Sequence, residues 1–172
     1  MAVTEQWRPI PGFEGAYEVS DQGQVRSLDR VTGRQRPTKR QGKLLKQAPT
    51  SSGRYLTVSL YDGTRRTNAR VHRLILTAFV GPCPVGMECL HANDIGTDNR
   101  LENLRWGTRS TNTTDKVQNG RHPVANRTHC DFGHEFTPEN TVYRKTGWGT
   151  YRRCLTCKRR EDRDAKRKKR AA

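Results

Sequence analysis

Short alternations of apolar and polar residues fill the first part of the chain and predict strands joined by tight turns. In the segment 17–28, YEVSDQGQVRSL, apolar positions lie on both sides of Asp-Gln-Gly, which is typical of a short hairpin. In the segment 55–66, YLTVSLYDGTRR, every second residue is apolar until Asp62-Gly63. This period of two predicts a half-buried strand that ends in a turn.

The apolar period changes to that of a helix at residue 71. The apolar residues of the segment 71–79, VHRLILTAF, recur at helical spacing, and Gly81-Pro82 follows, so we predict a helix that stops there. For His72, inside this helix, we favour a structural role. The segment 87–107 predicts a strand, a polar loop and a second short strand. A helix follows, with Ser110 or Thr111 near its N-cap and Gly120 at its end.

Composition favours several small modules over one large core. Hydrophobic residues make up 31% of the 172 residues, a low share for a single well-filled interior. Small modules need turns, a metal or a partner to support them. We therefore predict a strand and turn module at 5–50, a second module at 51–120, a linker at 121–128, and a cysteine-containing module with a basic tail helix at 129–172.

Charge points to a polyanionic partner. The formal net charge is +16 and the isoelectric point is about 10.4, which favours nucleic acid over a membrane surface because no basic amphipathic stripe is evident. No run of 18 apolar residues exists, and the first ten residues lack an apolar signal core, so we expect a cytoplasmic protein.

Basic residues are spread over three surfaces that we predict to contact DNA phosphates, although any of them can instead be solvated surface. They are the arm Arg34, Arg36, Lys39, Arg40 and Lys43, the group Arg65, Arg66, Arg70 and Arg73, and the tail that begins with Lys158, Arg159 and Arg160. This spread suggests an extended monomer laid along a duplex, with no small-molecule substrate.

Three of the five cysteines join a histidine in a metal-ligand pattern. Cys130 and His134 are followed, after nineteen residues, by Cys154 and Cys157. Two close pairs separated by a loop supply four ligands to tetrahedral Zn²⁺ and leave no open position, so we predict structural zinc in a ββα or treble-clef module. The alternative is a set of reduced thiols beside a surface histidine.

Other cysteines and the tryptophans are assigned simpler roles. Cys83 and Cys89 have no partner pair nearby in the sequence, and we predict unliganded thiols. Each of the three tryptophans lies among predicted turns, where a small module needs a large apolar residue. We therefore favour core positions over base stacking for Trp7, Trp106 and Trp148.

The segment 88–112, ECLHANDIGTDNRLENLRWGTRSTN, contains one histidine, His91, in a polar loop region. Hydrolysis of a phosphodiester needs a base that activates water and a cation near the leaving oxygen. A lone histidine is often structural, but the polarity of the loop and the charge of the chain favour catalysis here.

Two segments resemble those of phage HNH homing endonucleases. WRPIPGFEGAYEVSDQGQVRSL resembles their N-terminal NUMOD4-like module, and VHRLILTAF with LHANDIGTDNRLENLRWGTRSTN resembles their HNH domain. The resemblance covers about residues 5–120 and implies an α+β fold with a ββα-metal nuclease core. It also implies that the protein nicks or cleaves double-stranded DNA, with His91 as the general base, Asn103 holding that histidine, and Asn112 as a ligand of Mg²⁺ or Mn²⁺.

One position departs from the family. Leu90 stands where these enzymes carry a second metal ligand, and its side chain cannot bind Mg²⁺. Three explanations stay open: Asn112 suffices with waters and phosphate, Asp94 or Asp98 reaches the ion from the loop, or the chain binds DNA without cutting it. An RNA-binding role is a further alternative.

Overall fold

The computed structural model describes residues 4–33, 36–147 and 149–171, in two compact units, Met1–Asn119 and Gly120–Ala172. Arg34 and Trp148, to which the sequence assigned roles, lie outside the described residues. Helices and strands are mixed in the first unit, as expected for an α+β fold.

Short antiparallel strands build the N-terminal part of the first unit. The predicted hairpin is confirmed, because its two strands pair across a turn in which Gly23 has φ 89°. Four strands form one sheet in the order β1-β2-β3-β6, and β4 pairs with β5. The strands are β1 Trp7–Pro9, β2 Tyr17–Ser20, β3 Val25–Ser27, β4 Arg30–Thr32, β5 Thr38–Arg40 and β6 Lys43–Leu44.

A three-stranded antiparallel sheet leads into the first helix. Its strands are β7 Ala48–Pro49, β8 Leu56–Tyr61 and β9 Arg66–Arg70, and helix α1 spans Val71–Phe79. The half-buried strand is confirmed, since Val58 and Leu60 are buried and their neighbours are less so. The helix also ends as predicted, with Gly81 at φ 117° donating its N–H to the carbonyl of Leu76.

The last part of this unit is a hairpin followed by a helix. Strand β10 Glu88–His91 pairs with β11 Leu104–Gly107, a 3-10 helix Leu101–Asn103 lies in the loop between them, and α2 spans Arg109–Gln118. Ser110 and Thr111 lie in the first turn, near the N-cap as predicted, and the N-cap itself is Thr108, whose side chain accepts a hydrogen bond from the N–H of Thr111 at 3.2 Å. Gly120 follows the helix with φ 69°.

One hydrophobic core joins the two segments predicted as separate modules at 5–50 and 51–120. Each fully buried aliphatic side chain contributes about 1.5–3 kcal/mol, so the N-terminal strands help to stabilise the elements that follow. Local sequence patterns do not indicate this joining, because the contacts are long-range. The buried core residues are Ile10, Tyr17, Val19, Val25, Val58, Leu60, Val71, Ile75, Leu76 and Leu104.

The second unit contains a hairpin and a long helix. Strand β12 Thr141–Thr146 pairs with β13 Gly149–Cys154, and α3 spans Leu155–Ala171. The predicted tail helix is confirmed, with Cys157 in its first turn. In the part of the chain that the structure describes, no helix has the length and apolar character needed to cross a membrane.

Candidate active site and metal centre

His91 is the last residue of β10 and is only 8% exposed. Its ring stacks on Tyr55, with centroids 5.9 Å apart, and meets the ring of His72 edge-on at 5.2 Å. His72 lies on α1 and is itself 3% exposed, which agrees with the structural role predicted for it. The rings of Tyr55, which precedes β8, and of His72 on α1 thus hold the imidazole of His91 in place.

Asn99 provides the polar contact to the ring. Its Oδ1 lies 3.5 Å from Nε2 of His91, and the residue is 4% exposed. An amide oxygen at this position accepts from a protonated Nε2, which leaves the lone pair on Nδ1 for a proton. Asn99 was missed at the sequence level, because an asparagine in a polar loop looks solvated until the fold buries it.

Burial favours the neutral form of both histidines in this cluster by lowering the pKa of each. Burial lowers the pKa of His91, and the hydrogen bond to Asn99 opposes that shift without cancelling it. Burial, with the neighbouring His91 second, lowers the pKa of His72 to about 3. A neutral imidazole is the form that accepts a proton from water.

Asn103 closes the loop between β10 and β11. Its Oδ1 accepts from the N–H of Asn93 at 3.0 Å, its Nδ2 donates to the carbonyl of Asp98 at 2.8 Å, and its own carbonyl accepts from the N–H of Ala92 at 2.9 Å. The side chain thus fixes the backbone directly after His91, and its influence on the ring runs through that loop.

The loop carboxylates have partners of their own. Asp98 contacts Nε of Arg100 at 3.0 Å and accepts from Nδ2 of Asn93 at 2.8 Å. The Arg100 hydrogen bond is the main cause that lowers the pKa of Asp98 to about 2. Asp94, at φ 56°, lies 3.6 Å from Nη2 of Arg54.

Leu90 and Asn112 lie on the side of the hairpin that α2 covers. Leu90 is 1% exposed, and a β-carbon added at Gly107 would lie only 2.5 Å from its Cδ1 and 3.8 Å from Cβ of Thr111. The amide of Asn112 donates to Oε1 of Glu88 at 2.9 Å. Sequence reasoning did not single out Glu88, since nothing in the linear order pairs it with a residue 24 positions later.

The four predicted zinc ligands converge in the second unit. Their ligand atoms all lie within 4.8 Å of one another. Among the residues that the structure describes, this is the group of three or more His, Cys, Asp or Glu side chains that is placed to hold a metal ion. Nδ1 of His134 lies 3.4, 3.8 and 3.3 Å from the sulfurs of Cys130, Cys154 and Cys157. Bonds of about 2.0–2.3 Å to tetrahedral Zn²⁺ require ligand separations of about 3.3–3.8 Å, so the geometry fits.

Local structure explains how the ligands are aimed. Gly133 has φ 77° and donates its N–H to the carbonyl of Cys130, while Cys130 donates its own N–H to the carbonyl of His134 at 2.9 Å. Asn140 accepts from the N–H of Thr156 at 3.0 Å and donates to Sγ of Cys154 at 3.4 Å. The turn at Gly133, the β12–β13 hairpin and helix α3 are arranged as in a treble clef.

Most of the predicted DNA-contacting side chains are exposed, while Lys158 is half-buried. Arg36, Lys39 and Arg40 lie in the β4–β5 hairpin and Lys43 is the first residue of β6. Arg65 lies in the turn before β9, and Arg66 is the first residue of β9. Some have intramolecular contacts: Arg70 lies over Tyr55 at 5.4 Å, Lys158 pairs with Asp162 at 3.1 Å, and Arg160 lies over Phe132 at 4.1 Å.

The remaining predicted residues have structural contacts. Trp106 is half-buried and donates its Nε1–H to the carbonyl of Gly81 at 3.2 Å, and the guanidinium of Arg26 lies 4.1 Å from the ring centre of Trp7. Cys83 and Cys89 are free thiols.

Comparison with known families agrees with this arrangement. Residues 69–114, which contain α1, the β10–β11 hairpin and the start of α2, match the family model for HNH endonuclease. Residues 5–61 match the model for the NUMOD4 motif. The first unit therefore contains a match to the NUMOD4 motif followed by a match to the HNH endonuclease model.

One curated protein is similar to this chain over 115 residues. The chain is homologous to DNA endonuclease I-HmuI of Bacillus phage SP01, with 30% identity over 115 residues, which cover 67% of this chain and 59% of I-HmuI. The match thus spans little more than half the length of that enzyme. A solved structure of DNA binding and cleavage by the HNH homing endonuclease I-HmuI shares the fold, with TM-score 0.55, 23% identity, and coverage of 91% of this chain and 82% of that one.

Proposed function

We propose that this chain is a metal-dependent endonuclease that hydrolyses phosphodiester bonds of double-stranded DNA. The observation that carries the proposal is His91, which lies within the match to the HNH endonuclease model, has a pKa lowered by burial, and has its Nε2 3.5 Å from Oδ1 of Asn99. I-HmuI, the matched relative, is a DNA endonuclease. One such centre per chain predicts one nick per binding event by a monomer, in the compartment that holds the DNA.

In the proposed reaction, Nδ1 of His91 takes a proton from a water molecule as its oxygen attacks phosphorus. One phosphorus–oxygen bond forms and the bond to the leaving oxygen breaks. Asn99 holds the tautomer of the ring, and Asn103 holds the loop that positions it. The amide oxygen of Asn112 suits Mg²⁺ or Mn²⁺, and a bound divalent ion would neutralise charge on the phosphate and on the leaving oxygen.

The second unit supplies zinc-dependent structure to the proposed enzyme. Cys130, His134, Cys154 and Cys157 fit tetrahedral Zn²⁺ and fill all four positions, so the ion we propose there is structural. The helix that follows Cys157 has a strongly basic sequence. The zinc unit is thus proposed to present α3 to DNA phosphates.

The pH dependence of cutting is expected to reflect the lowered pKa of His91. A base whose pKa lies below the usual 6.5 stays unprotonated as the pH falls through that value. The single-turnover nicking rate should therefore stay level from pH 8 to below pH 6.5 and fall only at lower pH. Rates measured across this range, with DNA occupancy checked at each pH, test it, and a midpoint at or above 6.5 attributed to His91 would contradict it.

DNA binding is expected to weaken steeply with salt. Six to ten phosphate contacts imply a loss of about 10³–10⁵-fold in affinity between 50 and 200 mM salt. Fluorescence anisotropy of the zinc-loaded protein, without added Mg²⁺ or Mn²⁺, measures the slope of log K against log salt. The double variant Lys39→Gln/Arg40→Gln should make this slope shallower by about one or two. Glu14→Gln, at a residue outside the predicted contact surfaces, is the matched control. A slope near zero for the unaltered protein would rule out phosphate-driven binding.

A second candidate function is DNA binding without cleavage. The observation that favours it is Leu90, whose buried apolar side chain stands where the family carries a metal ligand. This candidate predicts a shift of DNA mobility and no cutting in any divalent ion.

A further inference from the structure

We propose that Glu88 is the carboxylate ligand of the catalytic divalent ion and, together with Asn112, replaces the ligand that is missing at Leu90. This inference rests on the proposed nuclease function and assigns a residue outside the usual family positions. It begins from the contact between Nδ2 of Asn112 and Oε1 of Glu88 at 2.9 Å.

The strand places Glu88 on the correct face. Side chains of a β-strand alternate between its two faces, so Glu88 and Leu90 share one face of β10. On that face, a β-carbon added at Gly107 would meet both Leu90 and Thr111 of α2, while the ring of His91, on the other face, meets the ring of His72 of α1 edge-on. Glu88 is therefore the polar residue on the face of β10 that carries Leu90, and it is exposed where Leu90 is buried.

The spacing suits an octahedral ion. Rotation of the Asn112 amide by half a turn exchanges the positions of Nδ2 and Oδ1. Oδ1 of Asn112 and Oε1 of Glu88 would then lie about as far apart as Nδ2 and Oε1 do now, at 2.9 Å. Mg²⁺–oxygen bonds of about 2.0–2.1 Å give adjacent ligands about 2.8–3.0 Å apart. One amide oxygen and one carboxylate oxygen can thus occupy neighbouring corners, with water and phosphate oxygens at the others.

The other nearby acids are engaged elsewhere. Asp98 is held by Arg100 and Asn93, and Asp115, on the same helix as Asn112, pairs with Arg105 at 2.5 Å. In the part of the chain that the structure describes, Glu88 has no Lys or Arg partner within 4.0 Å. Its carboxylate is therefore paired with an amide and with no cation. A divalent ion bound there would interact with a full negative charge that no Lys or Arg neutralises.

Binding of Mn²⁺ to the zinc-loaded protein, followed by electron paramagnetic resonance of the free ion, tests the assignment without relying on activity. Glu88→Gln should weaken the site at least tenfold, and Asn112→Ala should weaken the same site. Glu88→Asp should retain part of the affinity because it keeps the carboxylate. Glu102→Gln is the matched control, since Glu102 is an exposed acid of the same segment that pairs with Arg100 instead. Unchanged Mn²⁺ affinity in Glu88→Gln would overturn the inference.

Leu90→Asp in the Glu88→Gln background provides a second readout. It should restore Mn²⁺ binding if both positions serve one ion, with folding checked by circular dichroism because Leu90 is buried. Nicking assays on the same proteins separate the two levels of the proposal. Metal-dependent nicking with normal Mn²⁺ affinity in Glu88→Gln refutes only the role of Glu88. Mn²⁺ binding that depends on Glu88, without nicking by the unaltered protein, refutes the nuclease function.

Discussion

His91→Ala is expected to lower the single-turnover rate of DNA nicking by about 10²–10⁴-fold, the usual contribution of a general base. The affinity of the zinc-loaded protein for DNA, measured without added Mg²⁺ or Mn²⁺, should stay within about twofold, because the predicted phosphate contacts lie on other residues. The substitution removes a ring packed against Tyr55 and His72, so thermal unfolding must be measured alongside the rate. His91→Asn, which keeps polarity and most of the volume, should lose activity to the same extent.

His122→Ala is the matched control, because His122 lies in the second unit and its Nδ1 accepts backbone N–H groups of Val124 and Ala125. That variant should nick DNA at the rate of the unaltered protein. Retention of full nicking activity by a folded His91→Ala protein would remove His91 from the reaction and leave the buried ring as a structural group.

Removal of zinc is expected to unfold the second unit. Binding of structural Zn²⁺ supplies about 10–16 kcal/mol of apparent free energy in small zinc modules, which are unfolded without the metal. Cys154 and Cys157 are the buried apolar residues in that unit among those the structure describes, so little else would hold it together. Cys157→Ser or a strong chelator should abolish the protected amides of β12 and β13 in hydrogen exchange.

Cys83→Ser is the control for this experiment, since Cys83 is a free thiol of the first unit. It should leave the zinc content at one ion per chain and the exchange pattern of the second unit unchanged. A second unit that keeps its protected amides after complete removal of zinc would show that the cluster is an arrangement of reduced thiols.

Features set by local spacing were predictable from sequence. Strand β8 and helix α1 follow their apolar periods, because one face of each packs into the core. The convergence of the four predicted zinc ligands was predictable for a similar reason, since each pair is a short local unit that a turn at Gly133 or a helix start aims at one point.

Features that depend on long-range packing were not predictable. Asn99 and Glu88 acquire their roles from partners across the hairpin or on α2, and neither lies in a spacing pattern. The core that the N-terminal strands share with the elements after them was not predicted, because it rests on contacts between segments far apart in the chain. The resemblance predicted that Asn103 holds His91, and in the structure Asn103 contacts the backbone of Ala92 and Asn93, the two residues after His91.

The most direct test of the account is cutting of supercoiled DNA. A plasmid pool with random inserts, which removes the dependence on one target site, is incubated with excess protein in Mg²⁺, Mn²⁺ or EDTA, and relaxed circles are quantified. We expect relaxed circles in Mg²⁺ or Mn²⁺, no relaxed circles above background in EDTA, and no relaxed circles with His91→Ala. Protein that shifts the plasmid on a gel but produces no relaxed circles in any divalent ion would contradict hydrolysis and favour binding alone.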